Sequence, residues 1–230
     1  MVKLKDILTP SLRLLPPRPK PLVARCLSVD SRFCREVVST GRLTEEQMRH
    51  AAARYLLGRS RSGETVFWMI DELGIVRDGR VGDSWVSVLL KADGQLPKWW
   101  HAEHCLFGLN LIPCLAGEFK CLIAIVESME SAVILSELFP KYIWMATGYL
   151  TNLNERLFEP LRGHRVICFP ATDSVGETFL TWTEVALQAK QRYGVDIIVS
   201  DILEQRATPQ QKAAKIDLVE FLFENERIRK

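Results

Sequence analysis

No stretch of the 230 residues is apolar over the ~20 positions that a membrane-spanning helix needs. The opening "MVKLKDILTPSLRLLPPRPKP" has neither the apolar block nor the small-residue cleavage site of a secretory signal, so the expected compartment is the cytoplasm. Six cysteines, Cys26, Cys34, Cys105, Cys114, Cys121 and Cys168, contain no Cys-x-x-Cys pair, which speaks against a zinc ribbon or a disulfide framework and for small buried apolar side chains. There is no GxxxxGK[ST] loop, no Gly-rich dinucleotide fingerprint and no Gly-x-Ser-x-Gly elbow, and "ATGYLTN" holds a single glycine. Those nucleotide-binding and serine-hydrolase classes are set aside. No internal repeat is evident, and a net charge of +2 is too small to argue for nucleic acid by itself.

What is there is a sequence 47% hydrophobic, enough for one large core or two small ones. Arg54, Arg59, Arg61, Arg77 and Arg80 fall close together, with Lys98 later, and form either one basic face or scattered solvated side chains. Trp99 and Trp100 adjoin Lys98, and aromatics beside cations can stack on unpaired bases. If that segment is a strand, one tryptophan faces inward and the other outward. The candidate nucleic-acid contacts are Arg59, Arg61, Arg77, Arg80, Lys98 and Trp100. His101, His104, Cys105 and Cys114 offer soft ligands for zinc, but their spacing matches no common zinc module, and a structural histidine beside buried aromatics is the alternative. Trp68 and Trp85 read as core, and Asp71 and Asp78 as turn residues.

Residues 1–60 read as a Pro-rich arm, with Pro10, Pro16, Pro17, Pro19 and Pro21, followed by helical segments. "SRFCREVVS" is a short amphipathic stretch. Thr44 and Gln47 form a capping box for a helix that places Met48, Ala52, Tyr55 and Leu56 on one face, with Gly58 as its left-handed stop. Residues 61–116 carry β-branched and aromatic runs broken at Glu72–Gly74 and at Asp78-Gly79, which predicts antiparallel strands. Residues 117–203 alternate strictly: strands "CLIAIVE", "YIWMATG", "RVICF" and "VDIIVSD", separated by helices "SAVILSELF", "NERLFEPL" and "ETFLTWTEVALQAKQRYG". Continuous apolar strands in that order predict a parallel sheet covered by helices. Residues 204–230 hold a second capping box, Thr208-Pro209 with Gln211, and a helix offering Ile216, Val219, Leu222 and Phe223 for docking.

In such sheets ligands bind at the carboxyl ends of the strands, where this sequence puts Glu127, Thr147-Gly148, Asp173 and Asp201. Gathered carboxylates call for a divalent cation; a glutamate that caps the next helix or faces solvent is the other reading of Glu127. From "CLIAIVESMESAVILSELFPKYIWMATGYLTNLNERLFEPLRGHRVICFPATD" to "VDIIVSD" the chain resembles a Toprim domain, the catalytic module of topoisomerases and bacterial primases. "PKWWHAEHCLFGLNLI" is similar to the segment joining the primase amino-terminal subdomain to its Toprim core, and "VFWMIDELGIVRDGRVG" resembles the hairpin before it. With the "ATPQQ" tail, the arrangement looks like Toprim-containing proteins carried on bacterial mobile genetic elements. The resemblance covers about residues 60–205.

The resemblance implies a mixed fold, an α+β amino-terminal region followed by a four-stranded parallel Toprim-like α/β core flanked by helices. It implies that Glu127 acts as general acid/base or near a metal, and that Mg²⁺ is the cofactor. The family's Asp-x-Asp does not carry over: aligned on "VICF" its positions are Pro170 and Thr172, with Asp173 displaced by one residue. Asp173 and Asp201 are then the candidate metal ligands of a rearranged site. The primase zinc finger has no counterpart here. The expected function is that of a primase-like nucleic-acid-handling protein with a degenerate acidic site and Mg²⁺-dependent phosphodiester chemistry. The alternative is a non-catalytic module on the same scaffold that binds single-stranded DNA or RNA or a replication partner, with no membrane association.

Overall fold

β2 (Thr65–Ile70) is buried at all six positions, and that explains why its sequence lacks the polar alternation of a half-solvated strand. In the computed structural model, which describes residues 27–112 and 122–228, β2 sits inside an antiparallel sheet of order β1-β2-β3-β4, with β1 Gly58–Arg59, β3 Val76–Val81 and β4 Ser84–Trp85. Val66, Trp68 and Ile70 point to one face and pack with Val81 of β3 and with Val86 and Leu90 of α3 (Val86–Ala92). Phe67 points to the other face and meets Phe33 and Phe107 edge-on, Phe107 in turn stacking on Tyr55 at 5.0 Å. Phe33 belongs to α1 (Arg32–Ser39); Tyr55 caps α2 (Glu45–Arg54), which opens with the expected Thr44–Gln47 capping box.

Three local expectations are corrected here. The run "VSVLL", expected as strand, opens the helix α3, which brings Val86 and Leu90, one turn apart, onto the same cluster as Trp68. Leu56, not Gly58, takes the left-handed conformation after α2, at φ 54°, and Gly58 starts β1. Asp78-Gly79 is not a turn. β3 runs straight through it, and the next reversal comes at Gly82-Asp83 before β4. Asp71 is a turn residue as expected, its carboxylate accepting from the Leu73 and Ile75 amides across the Gly74 reversal.

The chain divides into two units, residues 1–111 and 112–230. The second is a four-stranded parallel sheet of order β6-β5-β7-β8: β5 Leu122–Val126, β6 Tyr142–Ala146, β7 Arg165–Cys168 and β8 Asp196–Val199. The mixed α/β architecture and its parallel sheet are as the sequence predicts. α4 (Met129–Leu138) links β5 to β6, and α5 (Glu177–Tyr193) links β7 to β8 in the opposite direction along the sheet. Right-handed crossovers running opposite ways put the two helices on opposite faces, so both faces of β5 are buried. Between β6 and β7 the segment "NERLFEPL" forms a 3-10 helix, Glu155–Leu161, rather than an α-helix; Pro160 within it cannot donate to an α-helical ladder. The tail folds as α6 (Ile202–Arg206), α7 (Pro209–Ala213, with its capping box) and α8 (Leu218–Ile228). The expected Pro-rich arm lies outside the described residues, as do Cys26, Cys114 and Cys121. Among the described residues no helix is long and apolar enough to cross a membrane.

Candidate functional site

Glu127 is the first residue beyond β5, and its backbone carbonyl accepts the Gly148 amide at 2.9 Å, extending the β5–β6 ladder by one step. It does not cap the following helix. Ser128 does that, accepting from Ser131 N at 3.2 Å. The Glu127 side chain reaches across to the turn after β6, where its Oε1 accepts the Leu150 amide at 3.2 Å. The carboxyl is half-buried, and burial raises its pKa. The Leu150 amide opposes that rise, the Asp217 carboxylate adds to it, and the Lys215 ammonium opposes it.

Asp217 and Lys215 arrive from the carboxyl-terminal tail. Asp217 caps α8 in a reciprocal box, its Oδ1 accepting Glu220 N at 3.0 Å while its own amide donates to Glu220 Oε2 at 3.0 Å; its other oxygen accepts the Ser131 hydroxyl of α4. Lys215 is exposed and holds φ 55°, a left-handed conformation that lets the chain turn between α7 and α8. Sequence reasoning missed both residues. Asp217-x-x-Glu220 has the spacing of a capping box, but nothing local says that this cap lies beside Glu127.

Asp173 is buried, and its carboxylate serves the entry of α5. It accepts Val175 N at 2.9 Å, Glu177 N at 3.2 Å and Thr178 N at 2.7 Å. Burial pushes its pKa up, but these amides and the Thr178 hydroxyl outweigh it and hold the group well below the usual carboxylate range. Such a group contributes stability above the ordinary Asp pKa and loses it as the pH falls towards the folded value. Asp173→Ala is expected to cost about 2 kcal/mol at pH 7 by strongly favouring exposure of the orphaned amides, with the difference from wild type shrinking below about pH 4, as read by urea titrations at both pH values.

Asp201 is exposed at the end of β8, where Gln205 Nε2 donates to its Oδ2 at 2.5 Å. β7 lies between β8 and β5, so the strands that precede Asp201 and Glu127 are about 10 Å apart. Glu127, Asp173 and Asp201 follow β5, β7 and β8 at one end of the sheet, and each carboxylate takes different partners. At the Asp-x-Asp positions, Pro170 is buried, and the Thr172 hydroxyl donates to Glu204 Oε1 at 2.6 Å, Glu204 also pairing with Lys212 at 2.7 Å. Among the described residues no group of three or more His, Cys, Asp or Glu side chains could hold a metal ion.

The basic candidates separate as well. Arg77 is tied to Asp71 at 2.7 Å and faces Glu103 at 3.7 Å. Arg80 is buried, with its guanidinium over the Phe67 ring at 5.3 Å. Arg59 and Arg61 are exposed at the β1–β2 hairpin, and Lys98 is exposed. Trp99 and Trp100 lie in a turn, not a strand, with the Trp100 amide donating to Pro97 O at 3.0 Å; Trp99 is the exposed ring and Trp100 is half-buried. His104 is structural, bonding Asp78 at 2.9 Å and packing on Trp85 with ring centroids 4.2 Å apart. Burial pushes the Cys105 thiol up to about 12, so it is protonated at neutral pH.

A family model described as a domain of unknown function, DUF6371, matches residues 32–172. The chain belongs to the DUF6371 family. The DUF6371 match starts at the first residue of α1 and ends at Thr172, so it takes in the antiparallel sheet, β5 to β7 and Glu127, while Asp173, Asp201, Lys215 and Asp217 lie beyond it. No curated protein matches the chain.

Proposed function

We propose that this DUF6371 protein is a primase-like nucleic-acid-handling protein whose Toprim-like core works as a binding scaffold without a two-acid metal clamp. The observation that carries this reading is the engagement of Asp173. Mg²⁺ demands near-octahedral oxygen ligands, and a carboxylate whose lone pairs face three amides of its own loop is not free to meet that demand. With Asp201 after a strand two places from that of Glu127 and Asp173 taken up by its own loop, the acids present do not fit an Mg²⁺ centre. Single-stranded DNA or RNA is the proposed partner, met by the exposed Arg59, Arg61 and Lys98 with Trp100 at its side; a replication protein is the other partner this scaffold would take.

One observation favours a catalytic reading. Glu127 is accessible, and its carboxyl is raised, so it exchanges a proton closer to neutrality than an ordinary glutamate. In that reading Glu127 passes a proton to or from a phosphodiester oxygen, with Lys215 offsetting the negative charge.

Fluorescence anisotropy of labelled single-stranded DNA, over a salt series with and without Mg²⁺, separates the two. The scaffold reading expects salt-dependent binding that Mg²⁺ leaves unchanged and that Glu127→Ala alters by less than about twofold. Binding strengthened by Mg²⁺ in the wild type and not in Glu127→Ala favours the catalytic reading. No binding at low salt overturns both.

A further inference from the structure

The hairpin joining β1 to β2 is closed by an unusually complete set of internal bonds. Ser60 N donates to Glu64 O at 2.8 Å, Gly63 N to Ser60 O at 3.0 Å, and Glu64 N to the Ser60 hydroxyl at 3.0 Å. α1 is stitched against it: Arg32 N donates to Gly63 O at 2.8 Å, Phe33 N to Thr65 Oγ1 at 3.1 Å, and Thr65 Oγ1 to Ser31 Oγ at 2.7 Å. This rigid junction carries arginines from two elements far apart in sequence, Arg32 and Arg35 from α1 with Arg59 and Arg61 from the hairpin, all four exposed. A β-carbon placed on Gly63 would lie 3.9 Å from Nη2 of both Arg35 and Arg59, so those two guanidinium groups flank the same turn.

Two carboxylates reach into the cluster. Glu64 pairs with Arg32 at 3.1 Å and Asp30 with Arg35 at 2.9 Å; the Arg35 contact, with Arg59 adding to it, holds the Asp30 carboxyl below its usual value. Each engages one edge of its arginine, and a guanidinium has five N–H donors in a planar fork suited to phosphate oxygens. Four cations on a backbone held by these bonds, two of them further held by the acids Glu64 and Asp30, make one cationic surface on a fixed scaffold.

We infer that Arg32, Arg35, Arg59 and Arg61 form the surface on which this protein holds the phosphodiester backbone of a single strand, and that Asp30 is a built-in competitor for that surface. The inference rests on the nucleic-acid reading above and replaces Arg77 and Arg80, which are spent on Asp71 and Phe67, with two arginines of α1 that sequence proximity did not group with the hairpin.

The test is anisotropy of labelled oligothymidylate against the full chain over a salt series, for wild type, the quadruple Arg→Ala variant, the quadruple Arg→Lys variant, Asp30→Asn, and Arg206→Ala, an exposed arginine of the other unit, as control. The quadruple alanine variant is expected to bind at least tenfold more weakly and to flatten the log K against log salt slope by roughly 1.5 to 3, since each phosphate neutralised on a single strand contributes about 0.7. The lysine variant keeps most of the slope, Asp30→Asn binds two- to fivefold more tightly, and Arg206→Ala is unchanged. Thermal melting of each variant separates lost binding from lost folding. Wild-type binding that survives the quadruple alanine change with the same slope overturns this surface and leaves the nucleic-acid reading standing. No wild-type binding overturns both, and equal binding of polyglutamate and oligothymidylate overturns the phosphodiester partner.

Discussion

Asp78→Ala is expected to lower the unfolding free energy of the amino-terminal unit by about 3–5 kcal/mol, because it removes the acceptor from a buried cluster and leaves the donors behind. The Asp78 side chain is 1% exposed. Its Oδ1 accepts Gly79 N at 2.8 Å and Ser87 N at 3.0 Å, and its Oδ2 bonds the Ser87 hydroxyl at 2.6 Å and His104 Nε2 at 2.9 Å. One carboxylate thus ties β3, the first turn of α3 and the loop before Leu106 into a single network. Asp78→Asn keeps one carbonyl oxygen for the two amides and turns its NH₂ towards Ser87 and His104, both of which can accept. Its cost is expected to be smaller, about 1–2 kcal/mol. Urea denaturation followed by tryptophan fluorescence reads both, and an alanine variant within 1 kcal/mol of wild type would show that water replaces the carboxylate.

Gly79→Ala is expected to cost about 3 kcal/mol and to lower the melting temperature of this unit by roughly 10–20 °C. Gly79 pairs in register with Trp68 across the β2–β3 ladder. Its φ is not in the left-handed region; the requirement is space. A methyl group here would stand 2.7 and 2.9 Å from Trp68 Cε3 and Cζ3 and 3.2 Å from Val86 Cγ2. Trp68 is 1% exposed and cannot retreat, because Val66, Ile70, Val81, Val86 and Leu90 enclose it. The ring atoms met belong to the part of the indole that phenylalanine lacks. Trp68→Phe in the Gly79→Ala background is therefore expected to recover at least 1 kcal/mol relative to the sum of the single changes, a coupling that differential scanning calorimetry of the four variants reads directly. Additive effects would mean that the strand shifts and the ring does not carry the clash.

Both sites show where reading the sequence stopped short. Asp-Gly is a strong local turn signal, and at residues 78 and 79 it was outvoted: the acid makes four hydrogen bonds with three residues, and the glycine made room for an indole. Neither reason is visible within a few residues of the pair. The same holds for Asp173, whose distance from "VICF" suggested a displaced metal ligand, while its carboxylate is taken up by amides two to five residues ahead. Arg77 and Arg80 look like their exposed neighbours in sequence and differ from them only by the strand positions that turn them towards Asp71 and Phe67.

The sequence by itself determined the strand-helix alternation and parallel character of the second sheet, the capping boxes at Thr44 and Thr208, and the placing of Glu127 beyond a buried strand. All of these follow from period, apolar continuity and hydrogen bonds spanning three or four residues, which are properties of short windows. Only the tertiary structure decided which acids are free, that Asp217 and Lys215 of the tail set the charge around Glu127, and that α1 brings Arg32 and Arg35 to the hairpin of Arg59 and Arg61. The physical reason is that the charge and availability of a polar side chain depend on burial and on partners that the fold brings from distant parts of the chain.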